Sequence, residues 1–144
     1  MFKSKTLFIV GAGASCEAGL PSGHDLKRRI SDQLEINVID GAARSGTYEA
    51  LMHKSMALKD SFVNYKNAAK QISRAMPLAI SIDNYLDAHA HDSRIELCGK
   101  LAIVEAILES EKKSSLYPAE SLGHTIKFRN IENTWYTAFF KVLT

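Results

Sequence analysis

The chain has 144 residues, of which 46% are hydrophobic, which is the size and composition of one globular domain with an apolar core. Its formal net charge is only +2, so the composition lacks the strongly basic balance of nucleic-acid-binding proteins. No apolar run approaches the roughly 18 residues that a membrane-spanning helix needs, and two cysteines are too few for a disulfide framework. We therefore expect a cytoplasmic protein with neither a nucleic acid nor a membrane as its partner.

The first half of the chain is predicted to alternate between regular secondary structure and loops. A β-strand is predicted over residues 6–10, where an apolar run ends at a glycine-rich segment. A helix is predicted over residues 25–34, because apolar residues recur there at the i, i+4, i+8 spacing. Turn-forming residues and the absence of a helical period predict a loop over residues 35–47. Residues 48–75 have a helical composition, in one or two pieces, and Pro77 marks the end of this stretch.

Three further helices are predicted in the second half. Ser81 is expected to cap a helix that extends to about residue 90, because a serine side chain can accept a hydrogen bond from a free amide at the helix start. Asp92 or Ser93 is expected to cap the longest helix, which runs to about residue 110 and carries apolar residues around much of its circumference. A last helix is predicted to begin near residue 132.

These elements predict an α/β fold, as the helix-rich N-terminal part of a Rossmann-like, doubly wound parallel-sheet domain. A single strand cannot satisfy its own backbone hydrogen-bonding groups, and an apolar strand of this kind belongs to a parallel sheet. Weaker strand candidates lie at residues 36–39 and 126–128. The last ten residues are apolar on two helix faces, which indicates that residues 1–144 are the N-terminal portion of one incomplete domain. The remainder of the chain, or a partner subunit such as a second copy in a homo-oligomer, would then complete the sheet.

The strongest functional signal is the string GAGASCEAGLP, residues 11–21, which we call the nucleotide loop. Glycines after a strand let the backbone approach a phosphate, because a side chain would hold the ligand away. The spacing departs from the usual G-x-G-x-x-G fingerprint, since Cys16 stands where the third glycine would be and the next glycine is Gly19. We interpret the segment as a dinucleotide-binding loop. The alternatives are a turn without a ligand and a lipoprotein export signal, for which the apolar run is short and interrupted.

The string GAGAS, followed after three residues by GLP, resembles the first nucleotide-binding motif of the sirtuin-like family. Other strings resemble the prokaryotic members of that family, many of which act in phage defence: AISIDNYL at 79–86, ELCGKLAIV at 96–104 and TWY at 134–136. The resemblance implies a Rossmann-like domain that binds NAD or ADP-ribose. Carried over residue by residue, it places the NAD diphosphate against one group of residues and assigns the following turn to a second group: Gly11, Ala12, Gly13, Ala14 and Ser15, then Gly19, Leu20 and Pro21.

The resemblance also implies an activity, because the prokaryotic defence members cleave NAD between nicotinamide and ribose. Their catalytic asparagine stands in an Asn-Tyr-Asp motif at a strand end, with a histidine further on, and residues 1–144 match neither. The catalytic residues are therefore unknown, and we expect the chain as given to bind NAD weakly and hardly to turn it over. Two alternatives stay open. One is an NAD-dependent protein deacylase, which the string SGH at 22–24 disfavours, and the other is a non-enzymatic sensor of NAD or ADP-ribose.

Acidic and histidine residues cluster in the second half of the chain. Asp83, Asp87 and His91 are spaced to share a helix face that could border the nucleotide pocket, so Asp83 is included among the predicted NAD-binding residues. The alternative is a solvated face on which Asp83 favours the helix N-terminus. His89 and His91 would diverge on a helix, because residues i and i+2 do not share a face, and we predict no metal site.

Other residues near the nucleotide loop carry weaker signals. Cys16 has no histidine near it in a recognisable pattern, so we interpret it as a small residue beside the loop and not as a nucleophile. The adjacent Lys27, Arg28 and Arg29 point in different directions on a helix, which favours a solvated face over a phosphate clamp. His24, near the predicted helix start, could reach the ligand.

Overall fold

The structure is a computed structural model that describes residues 5, 7, 9–35, 45–115 and 134–143. These residues form helices, turns and irregular segments and include no β-strand, so the predicted α/β fold with a doubly wound parallel sheet is wrong for them. In the predicted first strand, Leu7, Ile9 and Val10 have no regular structure and are 84%, 90% and 60% exposed. A strand needs a neighbour for its backbone N–H and C=O groups, and the described residues offer none.

The weaker strand predictions, at residues 36–39 and 126–128, lie outside the described residues. The helices predicted within the described residues are confirmed, and the prediction over residues 48–75 becomes two helices. In chain order the structure contains a 3-10 helix (Ala12–Ala18) and then α1 (Gly23–Gln33), α2 (Gly46–Ala57), α3 (Phe62–Ala75), α4 (Ile82–Ala88), α5 (Ser93–Lys113) and α6 (Trp135–Leu143). No helix among the described residues is both long and apolar enough to cross a membrane.

The chain divides into two compact units. We call Met1–Ser22 with Leu108–Thr144 the loop unit, because it contains the nucleotide loop, and Gly23–Ile107 the helical unit. The helical unit holds a well-packed apolar core with α3 at its centre, since α3 packs against both α1 and α2. The fully or almost fully buried members of this core include Ile30, Leu34, Leu51, Tyr65, Ala69, Ile72, Met76, Ile95, Cys98 and Ala102.

Side-chain caps fix where the helices of the helical unit begin. The Ser81 hydroxyl accepts a hydrogen bond from the backbone N–H of Asn84 (3.0 Å), which confirms the predicted cap of α4. Asp92 accepts bonds from the backbone N–H groups of Arg94 (2.9 Å) and Ile95 (3.4 Å), so Asp92 caps α5. These caps are local in sequence, which is why the helix starts could be predicted.

An ion pair joins the turn between α2 and α3 to the start of α5. Arg94 Nε donates to Asp60 Oδ2 at 2.6 Å, and Asn64 Nδ2 donates to Asp60 Oδ1 at 2.7 Å. The hydrogen bond from Arg94, followed by that from Asn64, lowers the pKa of the Asp60 carboxyl group. Asp60 is therefore ionised at neutral pH, and the ion pair connects the two elements.

Candidate functional site

The nucleotide loop is a closed turn within the loop unit. Gly11 is extended (φ −92°, ψ 173°) and precedes the 3-10 helix, which ends at Gly19. The backbone N–H of Gly19 donates to the Cys16 carbonyl (2.9 Å), and that of Leu20 donates to the Ser15 carbonyl (3.3 Å). These two bonds return the chain sharply after the 3-10 helix. The segment that sequence reasoning described as a loop is therefore an ordered helical turn.

The three glycines of the nucleotide loop have different roles. Gly19 has φ +90°, and a Cβ there would lie 3.6 Å from the Cα of Ser114, so the fold itself favours glycine at this position. Gly11 and Gly13 are exposed, have no left-handed φ, and would meet no described atom within 4 Å of an added Cβ. The described part of the fold therefore requires glycine at one of these positions and not at the other two.

Gly19→Ala is expected to destabilise the loop unit by about 1–2 kcal/mol, because this is the free-energy cost of the left-handed conformation for an alanine. The measurement is urea unfolding followed by the emission of Trp135, the single tryptophan of the chain, which lies in the loop unit. Gly11→Ala is the matched control, since its extended backbone suits any residue. Equal unfolding midpoints for the two variants would contradict the structural role of Gly19.

The other predicted loop residues differ in exposure. The first hydrogen bond of the 3-10 helix runs from the N–H of Ala14 to the carbonyl of Gly11 (3.0 Å), so the N–H groups of Ala12 and Gly13 precede it. Ala12 is exposed with its backbone beside the glycines, and Ala14, Ser15 and Leu20 are half-buried. Pro21 is buried and supports the turn from within. The structure thus brings together eight of the nine predicted NAD-binding residues: Gly11, Ala12, Gly13, Ala14, Ser15, Gly19, Leu20 and Pro21.

A groove of about 270 Å³ opens beside the nucleotide loop, and we call it the indole groove. Ile9, Val10, Gly11, Ala14 and Trp135 line it. Among the described residues, the side chains that line the groove are apolar and none is titratable. The groove can accordingly hold an apolar or aromatic group next to the glycines, but its lining offers no acid or base for a reaction.

Trp135, the first residue of α6, is attached to the nucleotide loop by two hydrogen bonds. Its indole N–H donates to the Ala14 carbonyl at 2.7 Å, and its backbone N–H donates to the Glu17 carboxylate at 2.7 Å. These contacts join residues 121 and 118 positions apart in sequence. Sequence reasoning assigned no site role to Trp135, because periodicity and spacing carry no signal for a contact between such distant residues.

The far end of the nucleotide loop is also fixed within the loop unit. The backbone N–H of Ser115 donates to the Ala18 carbonyl at 3.0 Å. Together with the contact between Gly19 and Ser114, this bond ties the turn to the residues that follow α5. The nucleotide loop is therefore held at both ends, while Gly11 and Gly13 stay at the surface.

The predicted face of Asp83, Asp87 and His91 does not form on one helix. The helix α4 ends at Ala88, so His91 lies in the turn that follows, and all three side chains are exposed. The ring of His89 stacks on Tyr85 with 4.2 Å between centroids, and its Nδ1 lies 2.8 Å from the Tyr85 carbonyl oxygen. The structure places Asp83 in the first turn of α4 in the helical unit, and its assignment to the NAD site stays a prediction.

No group of three or more metal-ligating side chains comes together within the described ranges. His89, next to the predicted cluster, is engaged by Tyr85 through its ring and its Nδ1. The ring centroid of His91 lies 6.2 Å from that of His89. This arrangement is one of aromatic stacking and does not converge on a common point.

The basic cluster of α1 has partners within the helical unit. Lys27 Nζ donates to the carbonyl of Ala79 at 2.5 Å, and Arg28 pairs with Asp25 at 3.3 Å. Lys27 is half-buried, so the predicted solvated face is wrong for this residue. His24 is exposed and lines a groove of about 280 Å³ with these two cations. Because both cations already have partners, we assign no phosphate clamp here.

The two cysteines are free and lie in contrasting environments. Cys16 is exposed on the 3-10 helix, with its Sγ 4.0 Å from the Ala12 carbonyl oxygen. Cys98 is buried in α5 and donates to the Tyr65 carbonyl at 3.6 Å. Burial raises the pKa of the Cys98 thiol to about 12. Cys98 is therefore a core residue, protonated at neutral pH.

Comparisons with models of protein families, with curated proteins and with solved structures found no match to this chain. The resemblance to the sirtuin-like family accordingly rests on the sequence strings quoted for it.

Proposed function

We propose that the nucleotide loop binds NAD and that the chain is the NAD-binding part of a sirtuin-like NAD+ hydrolase. The observation that carries this proposal concerns Gly11 and Gly13, which lie at the surface. Neither a described neighbour nor a left-handed φ requires a glycine at these two positions. Gly13 lies within the 3-10 helix, where a glycine lowers stability by roughly 0.5–1 kcal/mol relative to alanine. Local choices that oppose stability without a structural benefit are typical of functional sites.

The chemistry of the ligand follows from what two bare glycines permit. A backbone without Cβ atoms lets a bulky anion approach the amide groups of Ala12 and Gly13, which lie ahead of the first hydrogen bond of the 3-10 helix. A diphosphate is such an anion, and it is the common part of NAD and ADP-ribose. The described fold contributes no sheet to this proposal, which rests on the nucleotide loop alone.

Binding at the nucleotide loop does not by itself cleave NAD. A phosphate contact stabilises substrate and transition state about equally, and such uniform binding does not accelerate the chemical step. Cleavage of the nicotinamide–ribose bond develops positive charge on the ribose and needs polar groups aimed at it. The described side chains that line the indole groove are apolar and carry no acid or base, so these residues favour binding without turnover. In a hydrolase, the asparagine and histidine implied by the resemblance would supply those groups.

Gly13→Ala is expected to weaken NAD binding at least about tenfold, which corresponds to about 1.4 kcal/mol. The added methyl group would occupy the space that the phosphate uses, while the fold has room for it. The same variant should unfold at the same urea concentration as the wild type or a higher one, because alanine favours the helix. Isothermal titration calorimetry with NAD and unfolding by circular dichroism measure the two quantities.

Gly46→Ala is the matched control, because Gly46, like Gly13, lies in the first turn of a helix and has no described atom within 4 Å of an added Cβ. This variant should bind NAD as the wild type does. Wild-type protein that shows no heat of NAD binding, or Gly13→Ala protein with unchanged affinity, would contradict the proposal.

A non-enzymatic sensor of NAD or ADP-ribose is the second candidate, and the apolar lining of the indole groove favours it. Release of nicotinamide from NAD, followed by chromatography, separates the candidates. Release in water alone supports a hydrolase, release only with an acylated peptide supports a deacylase, and binding without release supports the sensor.

The proposal includes a reducing cytoplasm as the compartment, which suits two free cysteines. The ligand is NAD or ADP-ribose, and no metal takes part. Further protein, from the same chain or from a partner subunit, would provide the catalytic groups. The role in phage defence that the resemblance implies would then consist of NAD depletion.

A further inference from the structure

We infer that Trp135 forms one side of the open indole groove and stacks there against a heterocyclic ring of the nucleotide, next to the loop that holds its phosphates. The inference rests on the proposed function, because it names a second part of the same site. The ligand chemistry is a planar nitrogen heterocycle joined through ribose to a phosphate. Adenine and nicotinamide both fit this description, and the experiment below distinguishes them.

The indole groove adjoins the nucleotide loop and is small. Gly11 and Ala14 belong both to the nucleotide loop and to the lining of the groove, so a phosphate at the glycines and a ring in the groove would be neighbours. The volume of about 270 Å³ is just below the roughly 300–1,000 Å³ of pockets that hold whole small molecules. Because the groove is also open, it can receive one ring of a dinucleotide but does not enclose the complete ligand.

The side chains that line the groove are apolar and at least partly exposed. Ile9 and Val10 are 90% and 60% exposed, which is unusual for a pair of β-branched aliphatic residues. Together with the indole of Trp135 they form a shallow apolar surface that no group among the described residues covers. A planar ring placed against these aliphatic side chains and the indole would remove this apolar surface from water.

Trp135 is held in place by hydrogen bonds and ring contacts. Its indole N–H and its backbone N–H are both bonded to the nucleotide loop, at Ala14 and Glu17. The ring also contacts Tyr136 edge-on, with 5.9 Å between centroids, and Phe139 at 6.1 Å. An indole held in this way loses little further freedom when a ligand stacks on it, so the stacking energy is available for binding. A positively charged nicotinamide ring would add a cation–π attraction.

The experiment uses Trp135 as its own reporter, because it is the only tryptophan in the chain. Emission is excited at the red edge of indole absorption and followed during titration with NAD, ADP-ribose, nicotinamide mononucleotide and inorganic pyrophosphate. A free tryptophan derivative titrated in the same way corrects for absorption by the ligands. We expect a saturable change with the ligands that carry the stacking ring and little change with pyrophosphate. The response to ADP-ribose alone would identify adenine, and that to nicotinamide mononucleotide alone would identify nicotinamide.

Three substitutions separate stacking from a purely structural role of Trp135. Trp135→Ala and Trp135→Leu should weaken NAD binding about tenfold, within the range that base–aromatic stacking provides, whereas Trp135→Phe should retain most of the affinity. Val142→Ala is the control, since Val142 lies on the same helix, is 65% exposed and does not line the groove. Calorimetry measures all affinities, because the variants lack the fluorescent reporter, and circular dichroism verifies that each is folded.

Several outcomes would overturn the inference. Calorimetric NAD binding with unchanged emission of the wild type, or equal affinities for the leucine and phenylalanine variants, would show that no ring stacks on Trp135 and would leave the proposed function standing. Tighter binding by Trp135→Ala would show that the indole obstructs the site. Wild-type protein that does not bind NAD at all would overturn this inference and the proposed function together. If Trp135→Ala does not fold, the wild-type emission and the comparison of Trp135→Phe with Trp135→Leu decide the matter.

Discussion

Replacing Ile72 with alanine is expected to lower the free energy of unfolding of the helical unit by about 2–5 kcal/mol. Ile72 has no exposed surface and lies on α3, which packs against both α1 and α2. Removing its outer carbon atoms leaves a cavity that three packed helices cannot fully close, so the loss exceeds the transfer free energy of the missing groups. A small domain is typically stable by only about 5–15 kcal/mol, so this single change would remove a large share.

Urea unfolding followed by far-ultraviolet circular dichroism measures the effect of Ile72→Ala as a lower transition midpoint. Val63→Ala is the control on the same helix, because Val63 is 60% exposed and its truncation should change stability by less than about 0.5 kcal/mol. If the two variants unfold at the same urea concentration, α3 is not the centre of the core.

The helices could be predicted because their signals are local. Leu26 and Ile30 of α1 recur on one face with Leu34, which directly follows the helix, and the structure buries Ile30 and Leu34 and packs Leu26 against the core. Ser81 and Asp92 mark helix starts through bonds to amides two or three residues away. Such patterns need no knowledge of the rest of the fold, since period and capping are properties of neighbouring residues.

The strand prediction over residues 6–10 is wrong because it rests on a local apolar run, whereas a strand requires a pairing partner elsewhere in the chain. An apolar run such as Leu7 to Val10 is compatible with a strand, yet a strand exists only when a second strand pairs with it. The periodicity of one segment carries no information about such a partner. In the described residues the run is irregular and exposed, so burial, which was inferred from apolar composition, does not occur there.

The candidate site was predictable in one part and not in another. The glycines of the nucleotide loop are visible in the sequence, although only the backbone angles separate Gly19, which the turn requires, from Gly11 and Gly13. The shared face of Asp83 and His91 was wrong because α4 ends at Ala88, and helix ends are the least predictable feature of a pattern. Trp135 could not be found, because its partners are more than 100 positions away in the chain.

Above about pH 9 the helical unit is expected to lose stability as the pH rises, because the Cys98 thiol keeps its proton only in the folded state. Burial, with a smaller contribution from the Asp92 carboxylate, raises the pKa of Cys98 from its ordinary value of 9.0 to about 12. Between these values the unfolded chain releases a proton that the folded chain retains. The contribution is therefore complete below pH 9 and falls by about 1.4 kcal/mol per pH unit up to about pH 12.

Urea unfolding at a series of alkaline pH values measures this loss, and Cys98→Ala is the variant that isolates it. The variant should be somewhat less stable than the wild type at neutral pH, since it leaves a small cavity, but its stability should fall less steeply above pH 9. Burial also raises the pKa of the Tyr65 phenol, so a shallower decline should remain in the variant. Identical slopes for wild type and variant would show that the thiol ionises equally in both states.

Thiol labelling gives a second, independent reading of the same burial. A disulfide reagent at mildly alkaline pH should modify one thiol per native chain, the exposed Cys16, and reach Cys98 only when urea unfolds the helical unit. Cys16→Ser should leave the native protein unreactive, which would identify Cys16 as the thiol that reacts in the native chain. Prompt reaction of both cysteines in the native protein would mean that α5 does not bury Cys98, and the alkaline loss of stability would then have another origin.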